Sequence, residues 1–352
     1  MKTSKRISGG LPRVIRMTEW SPASGVPACP DGVVFSQTGW AARETLLQSG
    51  TGAKGTPVPQ LWLCGGKGEF PPVCQQLTLP PGTPVRLITR HGCSVGAVYE
   101  DADATYAFLT GILPVDPSRP PEVQTASVFE EIEAALADAG MAFSHVARTW
   151  LYMDRILDWY DPFNRARDAF FTSRKVYDGL VPASTGIGSA NLCGTAIAAN
   201  AIAVKPKRPG AVTVERVDSP LQCTAHAYGS SFSRAVEIGT AACRNLLISG
   251  TASIEPGGKT AYLDDPDRQL GLTLDVVEAI LTSRGMGWSD TARGIMYLKE
   301  PSYLPLWQRH MRDRGLTDLP IITLQADICR DDLLVELELD AVKTKEGAGC
   351  GS

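Results

Sequence analysis

In the segment LLVELELDAV, three acids, Glu336, Glu338 and Asp340, alternate with Val335, Leu337 and Leu339. On a strand, a period of two puts all three carboxylates on one sheet face and the aliphatic side chains on the other. An acidic face of this kind is ordinarily solvated. If it is buried instead, a carboxylic acid stays neutral near pH 7 and becomes a proton donor, the central requirement of general-acid chemistry. The chain supplies its own control. LPIITLQADICRDDLLVELELDAVK (319–343) resembles VPASTGIGSANLCGTAIAANAIAVK (181–205), with Pro320 facing Pro182 at 320 − 182 = 138. The same offset sets Glu336 against Ala198 and Glu338 against Asn200. A face that is merely solvated has little reason to be acidic in one copy and apolar in the other. One copy therefore supplies an acid and the other a wall. Glu336 is the candidate donor, and Glu338 is read as a structural hydrogen-bonding group.

Arginine is the other residue type with a chemical argument, because its planar fork binds carboxylates bidentately. Arg148 and Arg293 occupy matching positions of the repeat, and Arg234 lies in SSFSRA. Tyr228 and Ser231, in the same stretch, offer hydroxyls. Other features carry less. His91, His145, His226 and His310 show no triad pattern. GGKG (65–68) lacks the spacing of a phosphate loop, and DDPDRQ (264–269) lacks that of a calcium loop. The nine cysteines form no CxxC pair, so neither a zinc site nor a disulfide framework is expected. Trp150, Tyr152, Trp159, Tyr160 and Phe163 read as core and interface, and Asn164 as a cap or turn residue.

The elements that must position these groups also repeat. YAFLTGILPVDP (106–117) resembles NLLISGTASIEP (245–256), with Gly111 facing Gly250. FEEIEAALADAGMAFSHVARTWLYM (129–153) resembles LDVVEAILTSRGMGWSDTARGIMYL (274–298). Each copy reads as strand, helix, strand, second helix and two closing strands, with Gly140 and Gly285 ending the first helices. Two copies are therefore expected at 93–208 and 215–344, joined by PKRPGAV, with an α+β layer architecture of helices on one face of a mixed sheet. Residues 1–92, rich in Gly, Pro and Ser, read as a strand-poor module or wrapping extension, with the apolar pieces GVVF (32–35), QLWLCGG (60–66) and VRLITR (85–90) as candidate short strands between turns.

Composition excludes several classes. With 34 Lys+Arg against 38 Asp+Glu in 352 residues the net charge is −4, and no basic block exists to neutralise a nucleic-acid backbone. No apolar run is long enough to span a bilayer, and the first residues, MKTSKRISGG, lack a signal-peptide core, so a cytoplasmic protein is expected.

The order strand–SG/TG, helix–AG, R-T-W/K-x-x-Y/L strand, FN-containing helix, P-x-x-T strand and VELEL strand resembles the YjgF/RidA superfamily, in both copies. Two tandem units behind a distinct amino-terminal segment resemble, more narrowly, the chorismatases, through SPLQCTAHAYGSSFSRA (219–235) and DICRDDLLVELELD (327–340). That resemblance implies cleavage of the enolpyruvyl ether of chorismate to pyruvate and either 3-hydroxybenzoate or a dihydroxycyclohexadiene carboxylate. Glu336 matches the family's catalytic glutamate. Cys329 matches a cysteine of the hydroxybenzoate-forming members, whereas Ala242, as the small residue near the second copy's first strand, matches the hydrolytic type. Arg148, Arg234 and Arg293, with Tyr228 and Ser231, are the implied substrate ligands. No cofactor and no metal are implied. The small-molecule substrate is the expected partner, and the assembly is either a trimer-like homo-oligomer or a pseudo-oligomeric monomer. A RidA-like imine or enamine deaminase is the alternative, weakened because Ser184 and Ile322 stand where that chemistry places an arginine. A non-catalytic small-molecule binder is the third reading.

Overall fold

A computed structural model describes residues 14–20, 33–49, 58–65, 70–225 and 229–345; Tyr228 lies outside the described residues. The alternating segments are strands, arranged in three sheets. The middle sheet has order β5-β6-β7-β11-β8-β9 and is built from Arg86–Arg90 (β5), Cys93–Glu100 (β6), Ala104–Ile112 (β7), Val146–Met153 (β8), Ala183–Gly188 (β9) and Ile197–Pro206 (β11). It therefore takes in β5, a strand that lies ahead of residue 93. The last sheet has order β12-β13-β14-β17-β15-β16. Its strands are Thr213–Val217 (β12), Ala235–Gly239 (β13), Cys243–Ala252 (β14), Thr291–Leu298 (β15), Ile321–Gln325 (β16) and Val335–Thr344 (β17).

The two sheets match strand for strand, down to a register shift between Ile248 and Thr251 in β14 and its counterpart opposite Ala199 and Ala201 of β11. The long helices Pro121–Asp138 (α2) and Pro266–Ser283 (α4) follow β7 and β14. Gly140 and Gly285 end them at φ 70° and 62°, a conformation glycine adopts without strain. The second helices, Ile156–Ser173 (α3) and Leu304–Asp313 (α5), cross over to the parallel partners β9 and β16.

The amino-terminal segment is not strand-poor. Val14–Glu19 (β1), Val33–Ala41 (β2), Gln60–Cys64 (β3) and Val73–Leu79 (β4) form a sheet of order β1-β4-β2-β3, extended by Ala190–Asn191 (β10) from the middle unit. Its order is first-last-second-third, with β2 and β3 parallel and a short helix, Arg43–Gln48 (α1), between them. The order β14-β17-β15-β16 and its middle-sheet equivalent have the same form. The segment is thus a third, reduced copy of the unit.

The inner faces of all three sheets meet in one apolar core that joins Phe35 and Leu61, Tyr99 and Trp150, and Leu247 and Tyr297. The helices lie outside, α2 and α3 on the middle sheet and α4 and α5 on the last. On β17, Val335, Leu337, Leu339 and Ala341 face the helices. The alternating acids must then point inward, toward the seam with the middle unit.

Candidate active site

The inward acids are buried: Glu336, Glu338 and Asp340 are 5%, 0% and 2% exposed. The solvated reading of this face therefore fails, and each charge needs a partner. Glu338 is the centre of the network. It accepts from Arg148 Nη2 at 3.0 Å and from Trp150 Nε1 at 2.9 Å, both from β8 of the middle unit. Arg293 of β15 donates to its other oxygen and also faces Asp340 at 3.5 Å. Burial works against the Glu338 anion, but Arg293 and Arg148 outweigh it, and its carboxyl is held below the usual range. Thr185 of β9 completes the seam: its Oγ1 accepts from Arg148 Nη2 at 2.6 Å and from the Gly250 amide at 3.0 Å.

Glu336 has the opposite environment. Burial, and then the fixed anion of Glu338, push its carboxyl up to about 8, only partly offset by Arg148 and Arg234. Two carboxyls two residues apart on one strand face are thus driven in opposite directions, one ionised and one protonated at neutral pH. The Glu336 side chain lies against Gly250, where a Cβ would collide with Oε1. Gly250 is therefore required for the acid to sit where it does.

Glu336 lines a cavity of about 40 Å³ at the seam between the middle and last units. The middle unit contributes Tyr160, Phe163, Arg167, Ser184 and Gly186, and the last unit contributes Ser230, Phe232, Arg234, Cys329 and Arg330 beside Glu336. Tyr160, Ser230, Cys329 and Arg330 also border an outer cleft of about 600 Å³, so they form the boundary between the two spaces. Burial comes first, and the charge of Glu336 second, in pushing the Cys329 thiol up to about 12. It is protonated at neutral pH and is no thiolate nucleophile. It hydrogen-bonds the Tyr160 hydroxyl, which also meets Ser230.

Of the residues expected from the sequence, the structure brings Glu336, Cys329 and Arg234 to this cavity. Arg234 is 2% exposed, and its Nε and Nη2 donate to the Cys223 carbonyl at 3.0 and 2.9 Å. Arg148 and Arg293 are directed at Glu338, and neither is among the cavity's lining residues. Ser231 points away from the cavity, bonded to Asp168 and, at 2.6 Å, to the Tyr177 hydroxyl; its neighbour Ser230 faces in. Ala242 is a correction. It sits in the turn before β14, whose first residue, Cys243, is nine positions before Ala252, and at about 3.3 Å per residue that is roughly 30 Å from the site. The small residues of that strand that do line the cavity are Gly250 and Ala252.

Tyr160, Phe163 and Arg167 were missed as site residues. Their spacing of three and four places them on one face of α3, a signal available in the sequence. Asn164 is no cap: its Oδ1 accepts from Arg167 Nη2 at 2.6 Å.

Fold and site define a class: three α+β units in one chain, with a protonated carboxylic acid enclosed where two of them meet. The particular likeness is to the chorismatases, and it holds in both sequence and fold. The chain is 28% identical to a 3-hydroxybenzoate synthase of Streptomyces hygroscopicus, over 71% of this chain and 77% of the relative. It is 27% identical to a chorismatase of Streptomyces rapamycinicus, over 61% of this chain and 68% of the relative. A crystal structure of a chorismatase matches with a TM-score of 0.70 over 97% of this chain and 99% of that one, at 19% identity, so the two share a fold. No known family profile matches the chain.

Proposed function

We propose that the chain is a chorismate-converting enzyme that cleaves the enolpyruvyl ether and releases pyruvate, with Glu336 as general acid. The observation that carries this reading is a carboxyl held protonated near neutral pH inside a seam cavity that arginines share. The enolpyruvyl group is a vinyl ether. Glu336 protonates its terminal CH2, the electron pair of the double bond forms the new C–H bond, and the adjacent carbon becomes an oxocarbenium centre. The resulting Glu336 carboxylate stabilises that cation, while Arg148 and Arg234 limit the cost of a second anion beside Glu338. Water adds to the cationic carbon and returns a proton to Glu336. The hemiketal then collapses to pyruvate and a dihydroxycyclohexadiene carboxylate. In the aromatising variant a ring hydroxyl takes the place of water, and pyruvate and a hydroxybenzoate account for all the atoms of chorismate. Cys329 lies at the cavity boundary as a neutral thiol, placed to bias that choice by its contact with Tyr160 rather than by covalent attack.

The deaminase alternative gains nothing from this geometry: Ser184, which lines the cavity, has no guanidinium to offer, and Ile322 lies outside it. No helix among the described residues is long and apolar enough to cross a membrane. Three copies of the unit pack around one core within the chain, which supports a pseudo-oligomeric monomer. Light scattering should return the mass of one chain, and a stable trimer would contradict this.

The test of the function is incubation with chorismate, following pyruvate by coupled NADH loss and the ring product by chromatography. Wild-type protein should turn over, and Glu336→Gln should lose on the order of 10²–10⁴ in kcat, the usual contribution of a positioned acid. A Glu336→Gln protein with unchanged kcat would remove Glu336 from the mechanism. Wild-type protein that binds chorismate without releasing pyruvate would be the non-catalytic binder.

A further inference from the structure

Part of the wall that the last unit gives the cavity is a stretch whose side chains alternate. Ser230, Phe232 and Arg234 line the cavity, while Ser231 and Ser233 turn the other way, onto the middle unit. In extended chain a slip of one residue exchanges the two faces, so whatever fastens Ser231 and Ser233 decides which side chains the cavity receives. Ser233 is held by backbone: its Oγ donates to the Val181 carbonyl at 2.6 Å, and its amide donates to the Pro182 carbonyl at 3.0 Å. Ser231 is held by side chains. Its Oγ donates to Asp168 Oδ1, which also accepts from the Tyr177 hydroxyl at 3.0 Å, and the two hydroxyls lie 2.6 Å apart. Asp168 belongs to α3, and Tyr177 to the single turn that follows it, Val176–Asp178. A carboxylate oxygen has two lone pairs, so this one accepts a hydroxyl from its own unit and one from the next. Among the described residues the Asp168 carboxylate makes no ion pair and bonds only these two hydroxyls.

Resting on the proposed function, we infer that Asp168 is a positioning residue for substrate binding: through Ser231 it holds Ser230 and Phe232 against the substrate. Ser230 meets the Tyr160 hydroxyl at the cavity boundary. Phe232 supplies an apolar surface beside Arg234, whose guanidinium lies 5.5 Å from the centre of its ring. The residue between the two is the one that Asp168 fastens. Glu336 is carried by β17, with which neither Asp168, Tyr177 nor Ser231 bonds through its side chain, so the acid keeps its place when this wall shifts. The wall therefore serves substrate and transition state alike, and its loss appears in KM rather than in kcat.

The test measures kcat and KM for chorismate in wild type, Asp168→Ala, Asp168→Asn, Ser231→Ala and the double variant Asp168→Ala/Ser231→Ala. Asp168→Ala and Ser231→Ala should each raise KM about tenfold, the scale of one hydrogen bond to a charged group, and keep kcat within about twofold of wild type. The double variant should lose no more than either single one, because both remove the same contact. Asp168→Asn, whose Oδ1 still accepts both hydroxyls, should restore KM to within about threefold of wild type. A wild-type KM in Ser231→Ala would overturn the assignment. So would a fall in kcat at unchanged KM, which is what a loss of folded protein gives, or an Asp168→Asn variant as impaired as Asp168→Ala. Should Asp168→Ala fail to fold, Ser231→Ala, which removes a single oxygen atom, carries the comparison of KM with kcat. If wild-type protein releases no pyruvate, the proposed function falls first; if it turns over while Ser231→Ala keeps its KM, this inference falls alone.

Discussion

The proton of Glu336 links activity to stability, and both vary with pH in a stated direction. Its carboxyl titrates near 8 in the folded chain against 4.5 for the free side chain, so the folded state holds the proton more tightly. That contribution is complete below about pH 4.5, fades as pH rises and is gone above about 8, a change on the order of a few kcal/mol. Turnover should fall over the upper part of the same window, because the protonated form is the reactive one. Glu336→Gln, which cannot ionise, should lose turnover at every pH and become more stable than wild type at pH 8.5–9, with little difference near pH 4.5. Denaturant unfolding at the two pH values checks this; equal stability at both would mean that Glu336 is not held neutral. The sequence made Glu336 legible because period two and the repeat offset gave both its face and its contrast with Ala198. The spacing of Tyr160, Phe163 and Arg167 was there to be read as one helix face, but that this face is buried shows only once the kinked helix and the seam are in place. Ala242 was misplaced for a related reason: a short turn motif does not say how far along a strand the cavity lies.

At the scale of elements, the site depends on how β14 and β17 are paired. Their register shifts between Ile248 and Thr251, the stretch that holds Gly250. There the Gly250 amide reaches Thr185 across the seam, and the missing side chain leaves room for Glu336. Gly250→Ala should therefore cost about 1–3 kcal/mol of stability by overpacking and reduce kcat as well, because Glu336 must shift. Gly257→Ala, with nothing near its Cβ, serves as the control. Normal turnover in Gly250→Ala would show that the acid tolerates displacement. The strands and helices of the two later units were legible because their hydrophobic periods are regular and Gly140 and Gly285 mark helix ends. In the amino-terminal sheet GVVF and QLWLCGG were legible as pieces of β2 and β3, but the sheet as a whole was not, because its kinship with the other units lies in strand order rather than in sequence. Helix α3 was legible as a helix, but its kink at Trp159, ahead of Pro162, was not.

At the scale of the molecule, the two seams between successive units are built alike but charged differently. At the seam of the amino-terminal and middle units, Asn200 accepts from the Gly111 amide of its own unit at 2.9 Å and donates across the seam to Thr38 Oγ1 at 3.0 Å. Between the middle and last units the equivalent residue is Glu338, and ion pairs replace neutral hydrogen bonds. The buried group comprises Arg148 and Arg293 against Glu338 and Asp340, a formal balance of 2 − 2 = 0. Either Arg148→Met or Glu338→Met leaves one uncompensated buried charge, and each should cost about 3–5 kcal/mol. The double variant restores balance, because Arg293 still faces Asp340, so its cost should fall short of the sum by about 2 kcal/mol or more. Denaturant unfolding of all four proteins measures this coupling, and strictly additive losses would show that Arg148 and Glu338 do not stabilise the seam as a pair. Glu338→Met also removes the anion that, after burial, most raises the Glu336 carboxyl, so the upper limb of its pH–rate profile should move to lower pH. That shift ties the seam to catalysis: the charge that fastens two units together also keeps the neighbouring acid protonated.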